Sequence, residues 1–411
     1  MTDAGRAAPP RFALVAVTAL FFGWGFVSAN NDPLLSAARR LFGLSYTEAL
    51  LTQIASFAAF ALVSLPAAGL LARLGAVRTI GLALVTMAAG CAAMQGIRIR
   101  ADYGVVLAAV FVLASGVTML QVAANPLAAA FGPPRRRHAR LTLAHSFNAL
   151  GVVCGVHFGA RVMLAEPVRT ETGVMAGAYL WMALLIAALG MLILASRRTI
   201  TAAALPEPGA AQGALSALRS RWAVFGSAAI ALYVGAEVTI GSTLILYLSQ
   251  PDTLGLPLAA AGARVATLYW GGALVGRFAG SWALRVVPAP RLLALAAAAA
   301  AALCLAALAL PGPASAWCLL AVGLCNAIMF PTIFALTLER SSAPPAATSG
   351  LLVMAIGPGA ALPLLAGAIA DRAGLGWAFA VPAFAYLFVL GFALGGPGLA
   401  PAWLGGRGKG R

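Results

Sequence analysis

The sequence predicts an all-α integral membrane protein of twelve transmembrane helices, arranged as two pseudo-symmetric six-helix bundles. Three observations predict it. Apolar types make up 62% of the 411 residues and charged types only 9%, against roughly 25% charged in soluble domains. A water-facing surface cannot be built from so few charges, so lipid must solvate much of the chain. Apolar runs long enough to cross a bilayer, about 20 residues each, recur twelve times along the chain. The longest polar connection falls near the middle, with six runs on each side, the pattern left by internal duplication in many carriers.

The first set of runs lies at roughly 12–37, 47–72, 77–96, 103–131, 139–164 and 173–196. Together they form an expected N-terminal bundle over 1–196. Residues 197–221 follow as a linker, from Arg197-Arg198 through Pro206-Glu207-Pro208-Gly209 to Arg219-Ser220-Arg221. The second set lies at roughly 222–249, 258–284, 291–310, 314–338, 346–370 and 376–395 and forms a C-terminal bundle over 222–411. The run at 291–310 is so rich in Ala that composition alone also fits a soluble helix. Its place between two Arg-bounded turns makes it the ninth span.

Charge sets the orientation. With both termini in the cytoplasm, the cytoplasmic segments hold eighteen of the 27 Lys and Arg and the opposite side holds eight, with Arg277 left inside a span. Lys and Arg concentrate on the cytoplasmic side of membrane proteins, so both termini and the linker are expected there. The formal net charge of +16 is thereby explained without nucleic acid. No basic stripe interleaved with aromatics is present to bind one. At the N-terminus, Arg11 precedes an apolar run that ends at Asn30-Asn31-Asp32 without a small-residue cleavage site. A retained signal anchor is expected. The five cysteines, Cys91, Cys154, Cys304, Cys318 and Cys325, lie inside apolar runs with no CxxC pair. They are expected to pack as small hydrophobes, with no disulfide, metal site or cofactor.

Two acids stand within apolar runs, Asp32 in the first and Glu237 in the seventh, the corresponding spans of the two halves. A charge at mid-bilayer costs at least about 2.5–3.5 kcal/mol, so such groups normally face a bundle interior or an aqueous cavity. Asp32 has a structural alternative as a helix cap, with Asn30, Asn31 and Pro33 around it. Glu237 has one as the buried partner of Arg277. Gln53, Gln121, Asn125, His145, Asn148 and Asn326 add hydrogen-bonding groups within spans, and Trp24, Phe147 and Trp270 add flat apolar faces. Amides in spans serve either as glue between helices or as partners for a polyhydroxylated solute. His145 is also able to carry a proton, since an unperturbed imidazole titrates near pH 6.5. Prolines and glycines interrupt the spans at Asn125-Pro126, Phe330-Pro331 and Gly357-Pro358-Gly359. In a carrier they permit close packing and bending.

These residues resemble the fucose–proton symporter family of the major facilitator superfamily, and especially its bacterial glucose/galactose branch. The likeness runs over nearly the whole chain. It is carried by Leu20-Phe21-Phe22-Gly23-Trp24 with Asn31-Asp32, then Ala123-Ala124-Asn125-Pro126 and Ser146-Phe147-Asn148. In the second half it is carried by Tyr233-Val234-Gly235-Ala236-Glu237, Tyr269-Trp270-Gly271-Gly272, Gly276-Arg277-Phe278 and Pro331-Thr332-Ile333-Phe334. The resemblance implies the major facilitator fold, alternating access, and uptake of a neutral hexose with a proton across a bacterial inner membrane. It places a proton-coupling and substrate-binding Asp at Asp32, a sugar contact at Asn148, and the Glu of the glucose/galactose branch at Glu237. The fucose carrier has an acid where this chain has Gln121, and Gln where it has His145, so a glucose- or galactose-like hexose is expected rather than fucose. The loop motif Gly69-Leu70-Leu71-Ala72-Arg73 also lacks the superfamily's usual Asp.

Proton coupling is therefore assigned to Asp32, Glu237 and His145. Substrate binding is assigned to Asn31, Gln121, Asn125, His145, Asn148, Glu237, Trp270 and Asn326. The expected partners are the sugar, a proton and the lipid bilayer, and a monomer is expected. A sodium-coupled or uncoupled sugar carrier, and a drug/proton antiporter of the same fold, share these features. An embedded enzyme is set aside, because His145 and His157 lie twelve residues apart with no acid nearby to complete a catalytic group.

Overall fold

The computed structural model of the chain describes residues 11–44, 48, 51–163, 172–203 and 214–395. Pro206-Glu207-Pro208-Gly209 of the linker and the C-terminal tail lie outside the described residues. The described residues are almost entirely helical, as hydrocarbon requires of a chain that must satisfy its own backbone groups.

Nine stretches among the described residues are long and apolar enough to cross a membrane. The longest, Leu51–Arg98, holds both the second and third spans. They meet at Gly75, where φ 75° and ψ 169° turn the chain between two helices, a conformation that glycine adopts without steric penalty. Spans 4 to 7 are Tyr103–Ala130, Arg137–Met163, Thr172–Ala195 and Arg221–Ser249. The Ala-rich ninth span is a regular helix, Ala289–Ala309. The tenth covers 313–340, the eleventh 345–373 and the twelfth 375–394. The first and eighth spans complete the twelve, and both are built of shorter pieces.

The first span breaks into Arg11–Ser28 and Asn31–Phe42. Two local causes act together. Pro33 offers no N–H to the carbonyl of Ala29, and the side chain of Asn30 turns back to donate from Nδ2 to the Phe26 carbonyl at 2.7 Å. The eighth span runs Leu258–Arg264, then a π-helical turn Val265–Trp270, then Gly271–Ala283. Segments of π-helix are frequent at functional sites.

The chain folds as two compact units, Met1–Arg137 with Ala144–Ala214, and His138–Leu143 with Leu215–Arg411. In the first, spans 1 and 5 approach until their backbones touch. Gly151, Gly155 and Gly159 recur every four residues along span 5 and meet Phe22, Phe26, and Asn30 with Pro33. Gly25 of span 1 meets the backbone and amide of Asn148 in return. Without a hydrophobic drive between helices in lipid, such small-residue stripes supply the close contact. In the second unit, Gly323 lies against the Tyr269 backbone and Gly235 against Gly359, which draws spans 8 and 10, and 7 and 11, together. There the first residues of span 5 also take part, with Ser281 Oγ donating to the Ala139 carbonyl at 2.9 Å and His138 Nε2 lying 3.1 Å from Glu339 Oε1.

Candidate functional site

Each unit carries its own polar cluster. In the first unit, His145 of span 5 and Asn125 of span 4 are both buried, with Nε2 3.1 Å from Oδ1. An amide oxygen only accepts hydrogen bonds, so this contact is a hydrogen bond in the tautomer that carries its proton on Nε2. The imidazole edge meets the ring of Phe21 at a centroid distance of 5.2 Å and that of Trp24 at 5.8 Å. Three residues on, Asn148 donates from Nδ2 to the Phe21 carbonyl at 3.0 Å. Gln121, one helical turn before Asn125, is 5% exposed. Close contact between spans 1 and 5 therefore places an imidazole, two aromatic faces and several amides in one layer.

One turn along from this layer, a cavity of about 190 Å³ opens among spans 1, 2, 4 and 6. Its wall includes Ser28, Asn31, Gln53, Phe57, Phe60 and Tyr179. The volume falls below the roughly 300–1,000 Å³ of pockets for drug-sized ligands. Asn31 Oδ1 is buried there and accepts no hydrogen bond, an opening for a hydroxyl or water. Asp32 occupies the second position of the helix piece that begins at Asn31, and its side chain lies outside the described residues.

In the second unit, Glu237 of span 7 and Arg277 of span 8 form an ion pair with 3.9 Å between Oε1 and a terminal guanidinium nitrogen, both side chains 15% exposed. Asn326 of span 10 is 1% exposed and donates from Nδ2 to Tyr269 Oη at 2.9 Å. Tyr269 Oη donates to the Glu237 backbone carbonyl at 3.2 Å, and Tyr233 Oη to the Asn326 carbonyl at 3.2 Å. The π turn separates neighbours in environment. Tyr269 is fully buried in this network, whereas Trp270 is 41% exposed and its ring covers Gly241 of span 7.

The sequence-assigned residues thus divide by burial. Asn125, His145 and Asn326 are buried and contact one another or Tyr269, and Asn125 Nδ2 and Asn326 Oδ1 are left without a hydrogen-bond partner. Asn31, Asn148, Glu237 and Trp270 keep exposed surface. Tyr233 and Tyr269 were not selected from sequence. Their signal was a hydroxyl in mid-span, with Tyr233 one helical turn before Glu237. Among the described residues no three His, Cys, Asp or Glu come together to hold a metal.

The comparisons with known proteins agree with this architecture. The Major Facilitator Superfamily profile matches residues 13–362. A glucose/galactose transporter of Brucella abortus is 40% identical over 391 residues, 93% of each chain. The L-fucose-proton symporter of Escherichia coli is 29% identical over 425 residues, 95% of this chain and 94% of that one. The crystal structure of the transporter FucP in the outward conformation superposes with a TM-score of 0.83 at 25% identity, covering 92% of this chain and 97% of that one. The chain belongs to the Major Facilitator Superfamily, and within it to the family that holds these glucose/galactose transporters and fucose–proton symporters.

Proposed function

We propose that this chain imports a neutral hexose, glucose- or galactose-like rather than fucose, by proton symport with alternating access. The observation that carries the reading is the 40% identity, sustained over 93% of both chains, with a protein named a glucose/galactose transporter. Within each unit taken by itself, the groups assigned to the solute are those that keep exposed surface, Asn31 and Asn148 in the first, and Glu237 and Trp270 in the second. The amide and carboxylate oxygens accept from sugar hydroxyls, and the indole lies against the ring. Gln121, Asn125, His145 and Asn326 hold these groups in place or meet the sugar as the carrier changes shape. The cavity beside Asn31 supports a small solute over the bulky cargo of a drug antiporter.

Gln121 cannot titrate, so coupling is assigned to Asp32, with Glu237 and His145 as the other candidates. The carrier works as a monomer in the bacterial inner membrane with both termini cytoplasmic, an orientation supported by the charge asymmetry along the sequence. The test is uptake of a panel of radiolabelled hexoses into proteoliposomes, with pH and sodium gradients imposed separately. Accumulation of glucose or galactose driven by the pH gradient alone is expected. Accumulation driven only by sodium overturns the proton assignment, and the absence of any hexose uptake overturns the substrate assignment.

A further inference from the structure

Span 10 is not one helix. It runs Pro313–Asn326, opens at Ala327 and Ile328, and resumes as Met329–Arg340. In an unbroken helix the Ala327 carbonyl would accept from the N–H of residue 331, but that residue is Pro331 and has no N–H to give. An open carbonyl at membrane depth requires another donor. Arg277 of span 8 supplies it, donating from Nε to the Ala327 carbonyl at 3.3 Å. The same guanidinium faces Glu237 of span 7 at 3.9 Å, longer than a direct hydrogen bond. Glu237 Oε1 is buried and accepts no hydrogen bond.

One planar group therefore serves two partners from two spans. A rigid fork cannot tighten on one without rotating relative to the other. Tyr233 and Tyr269 complete the link, since their hydroxyls donate to the backbone carbonyls of Asn326 and Glu237 respectively.

We propose that Arg277 is a positioning residue for transport, whose guanidinium joins the Glu237 carboxylate to the open carbonyl of Ala327 and so ties occupancy of the carboxylate to the joint in span 10. The proposal rests on the reading that Glu237 belongs to the sugar site. When sugar hydroxyls donate to the carboxylate, they take up the lone pairs that face Arg277 and weaken its hold on the guanidinium. The guanidinium is then free to close on Ala327, and the joint changes shape with the site filled.

Lysine keeps the positive charge beside Glu237 but is a point donor without the fork. Arg277→Lys is therefore expected to keep sugar affinity within about threefold while turnover falls by about tenfold or more. Pro331→Ala restores the missing N–H and closes the helix, so it should slow turnover with the same sparing of affinity. Because both changes act through one joint, the double variant should be no slower than the slower single one. Affinity would be read by the quench of tryptophan fluorescence on titration with glucose and galactose, and turnover by initial uptake rates into proteoliposomes, with each variant first passed as a monodisperse peak in detergent. If Arg277→Lys fails that step, Arg277→Gln with Glu237→Gln keeps the region neutral, and its turnover at saturating sugar should fall about tenfold below that of Glu237→Gln alone. Full turnover in Arg277→Lys, or turnover in the neutral pair equal to that of Glu237→Gln alone, overturns the proposal, because Arg277 is then a counter-charge only. Multiplying rate losses for Arg277→Lys and Pro331→Ala also overturn it, since independent sites add in free energy. The cycle is read in turnover alone. Unchanged affinity in the Glu237→Gln variant would therefore remove Glu237 from the sugar site without being mistaken for failure of the joint.

Discussion

Gly25→Ala tests how the first unit holds its polar cluster. A Cβ added at Gly25 would lie 2.9 Å from both the carbonyl carbon and Nδ2 of Asn148, and nearer still to the carbonyl oxygen, where ordinary contact begins at 3.4 Å. The obstruction is helix backbone, which cannot swing aside as a side chain can. Spans 1 and 5 must part by about 0.5–1 Å, and overpacking of this kind costs about 1–3 kcal/mol. The bond from Asn148 Nδ2 to the Phe21 carbonyl, 3.0 Å long, lies beside the new methyl and would stretch. If the whole cost fell on the sugar-bound state, at about 1.4 kcal/mol per factor of ten, hexose affinity would weaken by about 5- to 150-fold. Gly69→Ala is the control, since nothing lies within 4 Å of a Cβ there. Replacing a helical glycine with free space around it is expected to be neutral or to stabilise by up to about 1 kcal/mol. Melting temperature in detergent and hexose counterflow in proteoliposomes read the two effects. A Gly25→Ala protein that melts at or above wild type and exchanges sugar normally would refute the close approach of spans 1 and 5.

Three further outcomes are expected. Asn125→Ala removes the group 3.1 Å from His145 Nε2 and with it one buried hydrogen bond, worth about 0.5–1.5 kcal/mol; a melting temperature equal to wild type would show that the two are not paired. Asp32→Asn should abolish uphill uptake driven by a pH gradient while sparing counterflow, and continued accumulation of sugar under a proton gradient alone would remove Asp32 from coupling. Reporter fusions after Arg221 and after Arg411 should both read cytoplasmic, and a periplasmic signal at either position would break the proposed orientation.

The spans themselves were legible because a bilayer demands length and apolarity, and both can be counted along a sequence. Even the Ala-rich ninth span, Ala289–Ala309, follows from its length and flanking charge. The break between spans 2 and 3 was legible as the gap between the runs at 47–72 and 77–96, and the structure places the turn in it at Gly75. The acids Asp32 and Glu237 were legible because each stands against an apolar background. Which amides meet solute and which serve as glue was not, because the choice depends on packing. Asn125 and Asn148 both lie in spans that line the same cluster, yet one is wholly buried against His145 and the other keeps part of its surface. The π turn at Val265–Trp270 was equally hidden. In lipid a span is apolar on most faces, so a change of helical pitch leaves no break in the pattern.

The broken helices follow a rule that local chemistry explains. A proline withholds its N–H from the carbonyl four residues before it, so an opening should precede the proline by about one turn rather than coincide with it. The openings at Ala29 and Asn30, at Ala327 and Ile328, and at Ala355 each sit about one turn before Pro33, Pro331 and Pro358. Pro66 and Pro126, by contrast, lie inside helices that continue through them. Proline is therefore not sufficient. At two of the openings, donors from outside the backbone ladder fill the carbonyls of the parted turn. Asn30 Nδ2 bonds the Phe26 carbonyl, while Tyr233 and Arg277 bond those of Asn326 and Ala327. Exposing carbonyls in hydrocarbon is costly unless they are met; in span 10 the carbonyl that proline leaves open is the one Arg277 meets, while in span 1 the side-chain donor meets Phe26, three residues before the carbonyl opposite Pro33. Both of these joints adjoin the polar clusters, the first one residue before Asn31 and the second directly after Asn326. The side chains that hold the joints open thus stand beside those proposed to meet the sugar, and in span 10 one of them, Arg277, also faces Glu237.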